Sequence, residues 1–270
     1  MKLEIINMYS YNTNIVKNNS FKYIRPIIED TIENKKKYGI PTLPIIYDLE
    51  KVVEDVEVVN NTTNFLENKL VSLTFDDGPT KYTNELLKVL ERNHSRATFF
   101  ILGNKIRGNE EAIKNIRSKG NEIGINGYSH KPFTNMSLED VDAEIDNTLD
   151  MLKNLGVKPS NIVRPPYGKL NGSIKIRSKS PFVLWNIDTS DVRDKEAIRN
   201  KIISNIQPGS IIKLHDTSID TIEALEEVLP ELIKDGYRFV TVGEMNKIYE
   251  NDLVPGKVYG KVYDKLKEVA

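Results

Sequence analysis

The chain has 270 residues, 39% hydrophobic and 29% charged, with 38 Lys+Arg against 39 Asp+Glu. That balance gives no field strong enough to argue for nucleic acid, and no stretch approaches the ~20 continuous apolar residues of a membrane helix. The absence of cysteine excludes a disulfide scaffold, a thiolate nucleophile and a Cys zinc site, so any metal must sit on His, carboxylate or amide.

Residues 1–23 are polar where a signal peptide would carry an apolar core, so no export signal is read here. Residues 1–68 lack regular alternation and are expected to form an N-terminal extension. Pro26, Ile27, Ile28 and Ile32, ending at Gly39, predict one helix, which Pro41 and Pro44 break off. Stretches 45–47 and 52–59 are strand-like, and the asparagine-rich 60–64 is a connector. The lysines at 35–37 read as a solvated helix end, and Asn60 and Asn61 match a glycosylation pattern that is common by chance.

From Leu70 onward, short apolar runs alternate with amphipathic stretches. LVSLTF, ATFFIL, EIGI, NIVR, FVLW, SIIKL and YRFVTV predict strands. Apolar residues at i, i+3, i+4 predict helices over 84–92, 110–118, 138–154, 197–205 and 222–234. Gly120, Gly156 and Gly236 are placed to end three of them. Strand–helix alternation argues for a parallel sheet with helices outside, open or closed as a barrel. The main domain is expected over 69–250, followed by a C-terminal tail over 251–270.

Polar residues that a sheet core would reject follow the predicted strand ends. Asp76 and Asp77 follow LVSLTF, Asn126 and His130 follow EIGI, Arg164 ends NIVR, Asp188 and Asp191 follow FVLW, and His215 and Asp216 follow SIIKL. In barrel enzymes the C-terminal strand ends form the catalytic face. Adjacent Asp76 and Asp77 diverge on leaving a strand, so one can bind a cation while the other abstracts a proton, although D-G-P is also turn chemistry. Asn126 and His130, four apart, would share one side of a helical turn as metal donors do; a hydrogen-bonded surface histidine is the alternative. The prolines after Arg164 would hold its guanidinium rigidly. His215 carries a side chain that ordinarily titrates near neutrality, suited to proton donation, against the alternative of a satisfied core histidine. Trp185 is read as core, and His94 has no partner signal.

These segments, in this order, resemble the polysaccharide deacetylase family, the NodB-type carbohydrate esterases that include peptidoglycan N-acetylglucosamine deacetylases and chitin deacetylases. The resemblance covers about 69–245 and rests on T-F-D-D-G-P at 74–79, Y-S-H at 128–130, R-P-P-Y-G at 164–168, W-N-I-D-T-S-D at 185–191 and I-I-K-L-H-D at 211–216. It implies a distorted (β/α) barrel of 7–8 strands, and hydrolysis of N-acetyl groups on a glucosamine-containing polymer, peptidoglycan or chitin-like. By the same resemblance, Asp76 is the general base, Asp77 and His130 are metal ligands, and Arg164 orients the base. Tyr167 offers its backbone N–H to the oxyanion, His215 is the general acid paired with Asp191, and Leu214 lines the acetyl pocket. The cofactor implied is a divalent metal, zinc or similar, and the location implied is extracellular or at the cell surface.

Three departures qualify the resemblance. The family's H-S/T-x-x-H reads here Asn126, Gly127 and then His130. An amide oxygen is a harder and weaker donor than imidazole, so the ion is expected to be weakly held or absent, or to be harder than zinc. Val192 stands where tryptophan often walls the sugar groove, and the stretch from Tyr167 to Trp185 is short enough to reduce one barrel helix. The rival readings are a catalytically inactive relative that binds glycan or a partner protein, and a metal-independent amide hydrolase.

Overall fold

The computed structural model describes residues 69–249 and 251–262. The helix and strands expected before residue 69, the lysines at 35–37 and the Asn60 and Asn61 acceptors lie outside the described residues.

The chain enters through β1 (Lys69–Gly78), a strand buried on both faces, as a central parallel strand should be. It continues through α1 (Thr83–Arg92), β2 (Ala97–Ile101), α2 (Glu110–Ser118), β3 (Glu122–Ile125) and α3 (Leu138–Asn154). There follow α4 (Gly172–Arg177), β4 (Phe182–Val183), β5 (Ile187–Asp188), α5 (Lys195–Asn205), β6 (Ile211–His215) and α6 (Ile219–Lys234). β7 (Tyr237–Phe239), α7 (Val242–Ile248) and β8 (Val258–Tyr259) complete the described part. The strand order is β3-β2-β1-β6-β5, with β7 beside the first residues of β1 and a separate β4-β8 pair. All these strand pairs are parallel. Val163 bridges Ile125 of β3 to Phe182 of β4, carrying the arc onward. The architecture is a distorted (β/α) barrel.

Helix ends follow the expected chemistry. Gly120, Gly156 and Gly236 all have positive φ, between 74° and 88°. The N-caps Ser137, Asp194 and Ser218 each accept a backbone N–H from the first turn. The expected strand YRFVTV stops at Phe239, because Thr241 and Glu244 form a capping box that starts α7. NIVR contributes only the bridges at Val163, and FVLW only the two residues of β4. The short stretch after Tyr167 holds a helix of six residues, the reduced element anticipated there. Residues 251–262, set apart as a tail in the sequence reading, carry β8, which pairs with β4.

Strand alternation sorts the side chains into two environments. Leu73, Phe75, Ile212 and Leu214 join one apolar cluster with Leu86 and Leu90 of α1 and Leu225 and Leu229 of α6. The intervening residues of β1, namely Ser72, Thr74 and Asp76, are buried as well, but they face the barrel interior.

Candidate active site

The C-terminal ends of β1 and β6 lie side by side, with Asp76 in register with His215. Asp76 is 4% exposed. Arg164, fully buried, donates from Nη1 to Asp76 Oδ1 at 2.7 Å and to Thr74 Oγ1 at 2.7 Å. Its Nε reaches the Val183 carbonyl at 2.9 Å and its Nη2 the Leu184 carbonyl at 2.8 Å. The guanidinium carbon lies 4.1 Å from the Phe100 ring centre and 5.3 Å from that of Trp185. Four hydrogen bonds and two ring contacts thus constrain the guanidinium, which fixes the carboxylate it holds. Burial pushes the Asp76 carboxyl up from its ordinary value, and Arg164 opposes that rise without cancelling it.

Asp77 diverges from Asp76, as the sequence reading expects. Its Oδ1 accepts from His130 Nε2 at 3.1 Å and from the Asn126 side-chain N–H at 2.8 Å. Its Oδ2 lies 3.7 Å from His215 Nε2, and its backbone carbonyl accepts from Lys105 Nζ at 2.7 Å. Burial works against the Asp77 charge, but the His130 hydrogen bond and the surrounding positive groups outweigh it and hold this carboxyl below the ordinary range. Four segments that are distant in sequence thus meet within one cavity: 76–77, 126–130, 164–167 and 215.

Backbone strain gathers at the same place. Among the described residues, four non-glycine positions have positive φ: Asp77 at 63°, His130 at 63°, Tyr167 at 60° and His94 at 48°. Three of the four belong to the cavity, where L-residues in this region carry an energetic cost that surrounding contacts must offset. Tyr167, 58% exposed, sets its ring centre 4.7 Å from that of His130.

Three expectations need correction. Residues 126–130 are not a helical turn; Asn126 and His130 meet through an irregular loop in which Gly127 and His130 both have positive φ. Asp191 does not pair with His215, because its carboxylate is exposed and takes Lys201 Nζ at 2.7 Å. Leu214 turns away from the cavity, since alternation along β6 sends it into the helix-facing cluster and puts Lys213 on the face of His215. Lys213 Nζ sits 4.1 Å over the Trp185 ring and 3.5 Å from Asp188 Oδ2. Thr74 and Lys105 join the site without being expected there. Thr74 had a legible signal, a polar residue inside an apolar strand two positions before Asp76. Lys105 had none, because only the fold brings it to Asp77.

No group of three His, Asp or Glu side chains among the described residues is placed to hold a metal. Asp77 and His130 converge closely enough to share an ion, with Asn126 as the third donor. A carboxylate, an imidazole and an amide together fit a divalent cation, and one oxygen-rich donor set favours a harder ion over a soft one. Holding it requires Asn126 to present its amide oxygen where it now presents N–H.

Among the described residues, no helix is long and apolar enough to cross a membrane. A family model described as polysaccharide deacetylase matches residues 64–181. The chain is 31% identical over 183 residues to a peptidoglycan N-acetylmuramic acid deacetylase, PdaC, of Bacillus subtilis, a match covering 67% of this chain and 39% of the relative. It is 35% identical over 201 residues to a peptidoglycan N-acetylglucosamine deacetylase of Bacillus cereus, covering 70% of this chain and 91% of the relative. A family 4 acetyl xylan esterase from Clostridium thermocellum, solved in complex with a cobalt ion, superposes with a TM-score of 0.67 at 29% identity, covering 72% of this chain and 99% of that one. The chain spans about two fifths of the length of some curated relatives that it matches, PdaC included. With the motifs, the barrel and these similarities in agreement, the chain belongs to the polysaccharide deacetylase family.

Proposed function

We propose that the chain hydrolyses N-acetyl groups on a glucosamine-containing wall glycan, releasing acetate, and that it works outside the cell where such polymers lie. The observation that carries this reading is the Arg164–Asp76 pair facing Asp77, His130 and His215 across one cavity. A buried carboxylate with raised proton affinity is suited to take a proton from the attacking water. Arg164 would keep that carboxylate aimed, and the His215 imidazole, 3.7 Å from Asp77 Oδ2, would protonate the departing amine. The Tyr167 backbone N–H is assigned to the developing oxyanion, whose stabilisation by fixed donors lowers the activation barrier of the reaction.

Asp77, His130 and Asn126 would hold a divalent ion, which when bound supplies Lewis-acid polarisation of the acyl oxygen and of water. The substrate class rests on the peptidoglycan deacetylases and acetyl xylan esterase among the relatives. A loosely held ion follows from the Asn126 amide, because the site keeps one imidazole and one carboxylate only.

The test is acetate release from acetylated glucosamine oligomers and from peptidoglycan, measured with added cobalt or zinc and with chelator. Acetate release that depends on added metal supports the reading. Release unaffected by chelator points to a metal-independent amide hydrolase, and glycan binding without acetate to an inactive relative; either result overturns it.

A further inference from the structure

The segment that carries Asn126 and His130 has no regular secondary structure, so its backbone groups need partners from elsewhere. Gly103 N–H donates to the Gly127 carbonyl at 3.0 Å and Asn104 N–H to the Tyr128 carbonyl at 3.1 Å. The Thr148 hydroxyl of α3 also reaches the Gly127 carbonyl, at 3.1 Å. The N–H groups of Tyr128 and Ser129 both donate to Glu144 Oε2 at 2.7 Å, and Ser129 Oγ donates to Glu144 Oε1 at 2.7 Å. Glu144 is 8% exposed. It lies on the buried face of α3 with Val141, Thr148 and Leu152, where an amphipathic helix would otherwise place an apolar residue.

A carboxylate taken out of water needs compensation, and here the three groups that supply it are two peptide N–H groups and one hydroxyl, none of them cationic. Charge-assisted bonds of this kind are short and roughly twice as strong as neutral ones. A side chain at Gly127 would be crowded and strained, because a Cβ would lie 3.1 Å from Glu144 Oε2 and 3.2 Å from the Phe133 ring, at a φ of +82°. One residue beyond the gripped pair stands His130, whose positive φ turns its imidazole onto Asp77.

We propose that Glu144 is a positioning residue for the candidate site. It clamps the Tyr128–Ser129 peptide so that the strained His130 backbone delivers Nε2 to Asp77. The inference rests on the deacetylase reading for its effect on rate, but the clamp itself is tested without turnover.

The experiment compares full-length wild type with Glu144→Ala and Glu144→Gln. With three histidines in the chain, the imidazole ¹H–¹³C cross-peaks are few enough to assign, and His94 serves as the remote control. In Glu144→Ala, the His130 cross-peak is expected to move while that of His94 stays, and the Tyr128 and Ser129 amides are expected to exchange faster. Cobalt affinity and kcat are expected to fall about 10–100-fold, the range for lost partners behind metal ligands, with KM changing much less. Glu144→Gln keeps a carbonyl oxygen for the two N–H groups and is expected to fall between the other two proteins on every readout. An unmoved His130 cross-peak in Glu144→Ala together with wild-type kcat and cobalt affinity overturns the proposal. Should Glu144→Ala fail to fold, Glu144→Gln decides: a displaced His130 peak with reduced cobalt affinity supports the clamp, and wild-type values for both overturn it. If wild type releases no acetate, the deacetylase reading falls, while the cross-peaks and amide exchange still decide the clamp.

Discussion

On β1 and β6, Leu73, Phe75, Ile212 and Leu214 pack against helices, while Thr74, Asp76, Lys213 and His215 occupy the other face. Both sides of β1 are buried to a similar degree, yet one is held by apolar contact, while on the other Thr74 and Asp76 are held by directional bonds to Arg164. Contact among hydrocarbons tolerates substitution of similar volume. A buried charge pair tolerates little, since loss of one member leaves the other desolvated and unpaired. The comparison teaches that burial alone does not distinguish scaffold from site; what marks the site on this strand is a buried carboxylate held by a buried cation.

The largest expected effect is on the cavity face. Asp76→Asn keeps the shape and removes the base, and should lower acetate release by about 10²–10⁴-fold without displacing the ion, as read by turnover and elemental analysis. An unchanged rate would remove Asp76 from its assigned role. Arg164→Met is next: it strips the partner from buried Asp76 and should cost about 3–5 kcal/mol in denaturant unfolding, together with activity. For contrast, Leu225→Ala on the helix-facing side should cost about 2–5 kcal/mol of stability with the turnover of the folded fraction unchanged. If both variants lost stability and turnover alike, the two faces would not differ as argued.

Asn126→His sharpens the contrast from the other direction. Restoring an imidazole beside Asp77 and His130 should raise metal affinity by at least about 10-fold, read by calorimetric titration. Equal affinity in both proteins would mean that the amide already serves as a full ligand.

The smallest effect concerns Asp216. Its Oδ2 accepts from the Thr83 hydroxyl, while Oδ1 has no hydrogen-bond partner among the described residues. Burial pushes its carboxyl above the ordinary value of 3.8. A folded-state value above the unfolded one means that the stabilising protonated form is fully present below 3.8 and is lost as pH rises through the folded value. Asp216→Asn cannot ionise, so its thermal midpoint should gain on wild type as pH is raised from about 4 to about 7. Parallel pH curves would refute the ionisation cost.

Much of this was legible beforehand, for definite reasons. LVSLTF and SIIKL are short runs rich in apolar residues and bounded by polar ones, the pattern of a buried strand, and both form strands where expected. The polar residues at their ends marked the mouth of the barrel. α4 is expected only as a reduced helix after Tyr167, and β8 carries no sequence signal, because two residues are too short to display a period. The resemblance implies a cavity position for Leu214, but its strand parity with His215 sends it to the other face. Asp191 was paired with His215, whereas its loop carries it to Lys201. Glu144 is not among the residues singled out from sequence, because its targets lie 15 and 16 positions back in the chain and no local pattern points there.

The sequence by itself determined the alternation of strands and helices, the capped helix ends and the residue types delivered to the strand ends, because periodicity, capping and turn chemistry act over a few neighbouring residues. Only the tertiary structure decided which of those residues meet. The convergence of Asp76 with Arg164, of Asp77 with His130, Asn126 and Lys105, and of Glu144 with the His130 loop depends on strand register and loop path, which set distances between groups that local propensity never compares.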